Sequence, residues 1–129
     1  MKKIIILSLF LIFNSVAFAH SPVKSIKPKN NEVLNVAPAQ IVLMFKSNAK
    51  LLKINLTKET DVKDKSLLET IFPKKSLENI PLSDDSLMKN TLDHFISIPK
   101  LMSGSYLFKW RAMSEDGHVI KGKSKFKIN

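Results

Sequence analysis

The sequence predicts an all-β fold, an antiparallel β-sandwich of about seven strands, and three observations predict it. Apolar residues recur with a period of two rather than 3.6 along most of the chain, so neighbouring side chains fall on opposite faces of extended segments. Those segments are short and are separated by punctuation such as Ala37-Pro38, Pro99 and Ser103-Gly104. A chain of 129 residues, 44% hydrophobic and without cysteine, makes one small domain that must stand on its apolar core rather than on disulfides.

Val23 to Ile26 reads as a first strand, closed by Pro28. Ile41-Val42-Leu43-Met44-Phe45 follows Ala37-Pro38 as a second, and a third has Leu52, Ile54 and Leu56 alternating with Lys53, Asn55 and Thr57. From Lys58 to Asn90 the chain is polar and lysine-rich, with short apolar pieces at Leu67-Leu68, Ile71-Phe72 and Leu87-Met88. Pro73 and Pro81 speak against one continuous element there, leaving a hairpin, a helical turn or a mobile loop. Leu92, His94, Ile96 and Ile98 share one face of the next strand. The clearest strand follows Ser103-Gly104, where Tyr106, Phe108, Trp110 and Ala112 alternate with Leu107, Lys109, Arg111 and Met113. In the last, Ser124, Phe126 and Ile128 alternate with Lys123, Lys125 and Lys127.

The N-terminus stands apart from this pattern. Met1-Lys2-Lys3 is a short positive start, Ile4 to Phe13 an almost unbroken apolar run, and Ala17-Phe18-Ala19 a small-x-small cleavage site. Together they predict a secretory signal peptide over 1–19 and a folded domain over 20–129. The alternative, a membrane anchor, is disfavoured because the run ends at Asn14-Ser15, short of the ~20 residues a span needs. Cleavage after Ala19 removes two lysines, so the formal charge falls from +10 to +8, and makes His20 the first residue.

Of the 21 basic residues only Arg111 is arginine, and the lysines are scattered in alternation with apolar residues, as on solvated strand faces. Nucleic-acid readers concentrate charge and use the bidentate arginine fork, which excludes nucleic acid as the expected partner. An anionic membrane surface is compatible with the charge.

Few residues can do chemistry. There is no cysteine nucleophile, no glycine-rich phosphate loop and no Gly-x-Ser-x-Gly elbow, so an enzyme would have to be built around the histidines. The histidines are His20, His94 and His118. His94 lies on the apolar face of its strand and reads as a structural, hydrogen-bonded residue. The best constellation is Ser114-Glu115-Asp116-Gly117-His118, where extended geometry puts Asp116 and His118 on one side, an imidazole and a carboxylate suited to Cu(II), Zn(II) or Ni(II). Taken alone the motif is weak, and Asp116-Gly117 as a hairpin turn flanked by an exposed histidine is the favoured reading of these residues.

The cleavage site shifts the balance. A terminal histidine chelates a metal through its α-amine and ring Nδ1, and the amine, with an ordinary pKa near ~7.7–8.0, is readily deprotonated by a metal. With His118 as a third nitrogen and Asp116 as an oxygen, the set favours tetragonal Cu(II).

At this point the chain resembles the CopC copper-resistance and copper-homeostasis domains, which include the YobA-like proteins of bacterial periplasms. The resemblance rests on four features: the signal peptide ending before His20; the spacing from Pro28 through Ala37-Pro38 into Ile41-Val42-Leu43-Met44-Phe45; Ser103-Gly104-Ser105-Tyr106 leading to Lys109-Trp110-Arg111; and Met113-Ser114-Glu115-Asp116-Gly117-His118-Val119-Ile120-Lys121-Gly122 before Phe126. It implies an immunoglobulin-like seven-stranded sandwich that binds one Cu(II) through His20, Asp116 and His118. It further implies a monomeric periplasmic protein that sequesters or delivers copper without turnover, with an inner-membrane copper transporter of CopD type as partner. The chain departs from the family in reading Lys46-Ser47-Asn48 where an acidic residue often stands, in beginning His20-Ser21-Pro22 rather than His-x-His, and in lacking a methionine-rich Cu(I) loop. Met44, Met88, Met102 and Met113 are dispersed and read as core filling. Two other classes share parts of the pattern. Copper-dependent polysaccharide monooxygenases also use a terminal histidine, but are larger and need a planar aromatic surface, whereas Trp110 and Tyr106 read as core. A metal-free sandwich that binds a partner protein fits if cleavage occurs elsewhere.

Overall fold

The structure, a computed structural model, describes residues 22–60 and 76–129. Seven strands build it in chain order: β1 (Val23–Lys27), β2 (Glu32–Leu34), β3 (Gln40–Thr60), β4 (Ser76–Ile80), β5 (Asn90–Ser97), β6 (Gly104–Ser114) and β7 (Val119–Ile128), with one short 3-10 turn (Asp84–Ser86) before β5. The chain is all-β, as the two-residue periodicity requires.

The segments around Ile41 and Leu56 are one strand rather than two. In its first half β3 pairs antiparallel with β1 and β5, from Gln40↔Ser97 to Met44↔Asp93 and from Val23↔Phe45 to Lys27↔Val42. In its second half it pairs with β6 and β4, from Ala49↔Ser114 to Glu59↔Ser105 and from Leu56↔Ile80 to Thr60↔Ser76. Exposed Lys46-Ser47-Asn48 carries the chain between the halves, and the β5 ladder slips register there. The three polar residues break the apolar alternation without breaking the extended backbone. A second slip, between Leu51 and Lys53, moves the apolar phase: Leu51 and Leu56 are buried, whereas Leu52 is only half-buried.

The inner faces of the two halves pack on each other. Phe45, from the first half, meets the Trp110 ring edge-on at 5.3 Å. Leu43, Leu51, Leu56, Ile96, Phe108 and Ala112 are fully buried around that contact. Tyr106 stacks on Phe126 of β7, and its hydroxyl donates to the Met102 carbonyl at 2.7 Å, so the ring enters the core with its polar end satisfied. The indole of Trp110 lies across Gly122, its cross-strand partner, where a Cβ would come 2.4 Å from Cζ2. Only glycine admits the ring there.

One element was not expected. β2 is too short to show a period and pairs parallel with β7, Glu32↔Phe126 to Leu34↔Ile128, the one parallel ladder among the described strands. β4 and the 3-10 turn occupy part of the polar middle segment, while Leu67-Leu68 and Ile71-Phe72 lie outside the described residues. The core-filling reading of the methionines fails for Met88 and Met102, which are exposed because neither sits on an inward strand position.

Candidate metal site

Asp116 and His118 lie in the hairpin turn that joins β6 to β7. The backbone closes it: Ser114 N–H donates to the His118 carbonyl at 2.9 Å, and Gly117 N–H to the Ser114 carbonyl at 2.9 Å. Gly117 takes φ +85°, a left-handed value that glycine adopts freely. Asp116 and His118 are therefore brought together by the hairpin turn that Asp116-Gly117 suggested and not by extended geometry. The outcome for the side chains is the same: His118 Nδ1 lies 2.9 Å from Asp116 Oδ2. The hairpin reading and the metal-site reading of this motif are compatible, because the turn is what makes the two side chains converge.

The carboxylate is fully engaged. Its Oδ1 accepts from the Ser114 hydroxyl and from the His118 backbone N–H at 3.2 Å, while Oδ2 faces the imidazole. These bonds, the Ser114 hydroxyl first and the His118 amide next, hold the Asp116 carboxyl down at about 2. Both side chains remain open to solvent, His118 81% exposed and Asp116 68%, so an ion reaches them without displacing packed groups. Ser114 has a role that residue type alone did not announce: it presets the carboxylate. A hydroxyl two residues before an aspartate in a turn is the signal that would have found it.

His20 lies outside the described residues. The first described residue, Pro22, gives its carbonyl to Lys46 N–H at 2.9 Å, where the two halves of β3 meet. Three residues after Lys46, Ala49 pairs with Ser114 at the base of the Asp116–His118 turn. The start of β1 and the turn thus belong to the same end of the sandwich. His94 is at this end too but serves the core: it is 2% exposed, its Nε2–H donates to the Ala49 carbonyl at 3.0 Å, and its ring meets Phe45 edge-on at 5.6 Å. It is the structural histidine its position predicted. Among the described residues no three histidine or carboxylate side chains gather at one point, so Asp116 and His118 form a two-residue cluster.

A chemical test of fit follows from the 2.9 Å separation. Two cis ligands each about 2.0–2.1 Å from a shared ion at a right angle stand about 2.9 Å apart. The imidazole nitrogen and the carboxylate oxygen stand at that separation, which is also that of an ordinary N–H···O hydrogen bond, so an ion would take the place of this bond with the ring turned to aim its lone pair at the metal.

Comparison with known proteins points the same way. The CopC domain profile matches residues 23–129. PcoC, a copper resistance protein from Escherichia coli, is 24% identical with a TM-score of 0.59, the match covering 83% of this chain and 98% of that one. A second PcoC structure, described as a methionine-rich copper resistance protein, has the same identity and TM-score with 96% of its chain covered. CopC from Methylosinus trichosporium OB3b is 22% identical with a TM-score of 0.54, over 85% of this chain and 94% of that one. At these identities the likeness concerns the fold. No curated protein sequence matches the chain.

Proposed function

The chain belongs to the CopC domain family, whose profile spans all seven strands, and from that premise we propose that it is an exported copper protein that sequesters or delivers Cu(II) in the periplasm. The observation that carries the reading is the Asp116–His118 pair, two ligand atoms of the right types at the spacing of neighbouring ligands and open to solvent. His20 supplies two nitrogens, the α-amine released by signal cleavage and ring Nδ1, and completes a four-atom set for one ion per chain. A nitrogen-rich tetragonal set suits Cu(II), the tightest binder of the divalent series. Copper is cargo in this reading and the protein performs no turnover; it acts as a monomer, with a membrane copper transporter of CopD type as recipient or donor. The resistance role is supported by PcoC, a copper resistance protein of the same fold.

The decisive experiment compares the chain beginning at His20 with the same chain carrying one added glycine before His20. The extension turns the α-amine into an amide, a poor ligand at neutral pH, and leaves the core untouched. Cu(II) affinity is expected to fall by orders of magnitude with a changed electron paramagnetic resonance spectrum, at equal thermal stability. Equal affinity and an identical spectrum would defeat the terminal-histidine site and favour a metal-free partner-binding sandwich.

A further inference from the structure

The outer face of the β3–β6–β7 sheet carries a compact block of positive charge. The registers set Lys53, Arg111 and Lys121 in one row across the three strands, and Asn55, Lys109 and Lys123 in the next. Strands lie about 4.8 Å apart and same-face neighbours about 6.7 Å apart along a strand, so these six positions fall within an area of roughly 10 by 7 Å. All five cations are exposed and border an open groove of about 700 Å³. Among the described residues none of the five has an ion-pair partner, and Glu59, two rows further along β3, is held by Lys125 Nζ at 2.8 Å.

Fold stability does not account for this arrangement. Like charges directly opposite one another destabilise a sheet, and Arg111 faces Lys121 as Lys109 faces Lys123. Edge lysines can guard against edge-to-edge pairing, but β3 and β6 are interior strands.

We propose that this face docks on an anionic lipid surface. Four of its five cations are lysines, hydrated point charges suited to a diffuse layer of phosphate headgroups rather than to the bidentate grip an acidic peptide offers arginine. The next row toward the metal-site end pairs Met113 with Val119, and Val119 is 54% exposed, which supplies an apolar rim able to enter a headgroup layer. The same β6–β7 hairpin ends in the Asp116–His118 turn, so docking by this face holds the turn close to the membrane. The inference does not depend on copper.

The test measures binding of the chain from residue 20, which contains every described strand, to vesicles of phosphatidylcholine with and without about one-third phosphatidylglycerol. The parent is expected to bind the anionic vesicles only, and to release as salt rises from 50 to 200 mM. Each lysine near an anionic leaflet contributes about fivefold to partitioning. The variant Lys53→Gln/Arg111→Gln/Lys121→Gln should therefore bind about 100-fold more weakly, while Lys24→Gln/Lys27→Gln/Lys46→Gln, with the same loss of charge elsewhere, should bind within a few fold of the parent. Circular dichroism would verify that both variants fold, and His118→Ala should bind vesicles like the parent. Equal losses in the two triple variants would reduce the effect to net charge and overturn the proposal. No binding to anionic vesicles, with binding of an acidic polyglutamate peptide to this face instead, would assign the face to a protein partner.

Discussion

His94 and His118 occupy the same end of the sandwich in opposite conditions. His94 is 2% exposed, bonded to the Ala49 carbonyl and wedged against Phe45; the His118 side chain is 81% exposed and bonded to a carboxylate. Ala49 joins the two regions, since its carbonyl holds His94 and its backbone pairs with Ser114 below the turn. The difference teaches that imidazole is a core element when its N–H finds a carbonyl and its ring finds an aromatic, and stays open to an ion when its surroundings leave it in solvent beside an oxygen anion.

Exchanging the histidines for alanine would sharpen this contrast most. His94→Ala leaves a cavity beside Phe45 and orphans the Ala49 carbonyl, and is expected to cost about 3 kcal/mol, roughly 10–20 °C in Tm. His118→Ala should change stability by less than about 0.5 kcal/mol yet remove most Cu(II) affinity. Calorimetry and copper titration on both variants check this. Loss of copper binding by a well-folded His94 variant would break the division of roles.

A smaller effect is expected at Asp116. Whether it ligates the ion or orients the imidazole, Asp116→Ala should weaken Cu(II) binding about 10–100-fold, less than the loss of His118 itself. Titration at fixed ionic strength decides it, and an unchanged affinity would remove Asp116 from the site.

The smallest expected effect is a shift in a titration curve. The Asp116 carboxyl is depressed from 3.8 to about 2, so it stays ionised as the pH falls through the ordinary carboxylate range. Any stability linked to its charge is full well above about 3.8, declines progressively as the pH falls from there, and is gone below about 2. Ser114→Ala removes the principal cause and should raise the value toward 3.8, though not fully, because the His118 amide still donates. Carboxyl carbon shifts in the metal-free protein measure it; an unmoved midpoint would show that Ser114 does not preset the carboxylate.

The period-two pattern was sufficient to place β1, β5, β6 and β7 and to say which residues of β6 and β7 face inward, because burial on one side of a sheet imposes that alternation directly; on β5 it held for His94 and Ile96, whereas Leu92 is 45% exposed. It was insufficient for β3. Lys46-Ser47-Asn48 looks like a break between strands, and no local rule says that an exposed polar triplet stays extended while pairing changes on both sides of it. Nor could three residues at Glu32–Leu34 reveal a parallel ladder with a strand some ninety residues away.

By itself the sequence determined the all-β class, the inward aromatic stripe of β6, the structural nature of His94 and the identity of the Asp116–His118 pair, all of which follow from side-chain type and short-range spacing. Only the tertiary structure decided between the turn and the extended geometry that the sequence offered for the pair, and showed that Ser114 sets the carboxylate and that Lys53, Arg111 and Lys121 stand in one row. Those facts depend on backbone hydrogen bonds and on register between strands distant in sequence. Register is fixed by how the whole core packs, so the composition of any one strand cannot disclose it.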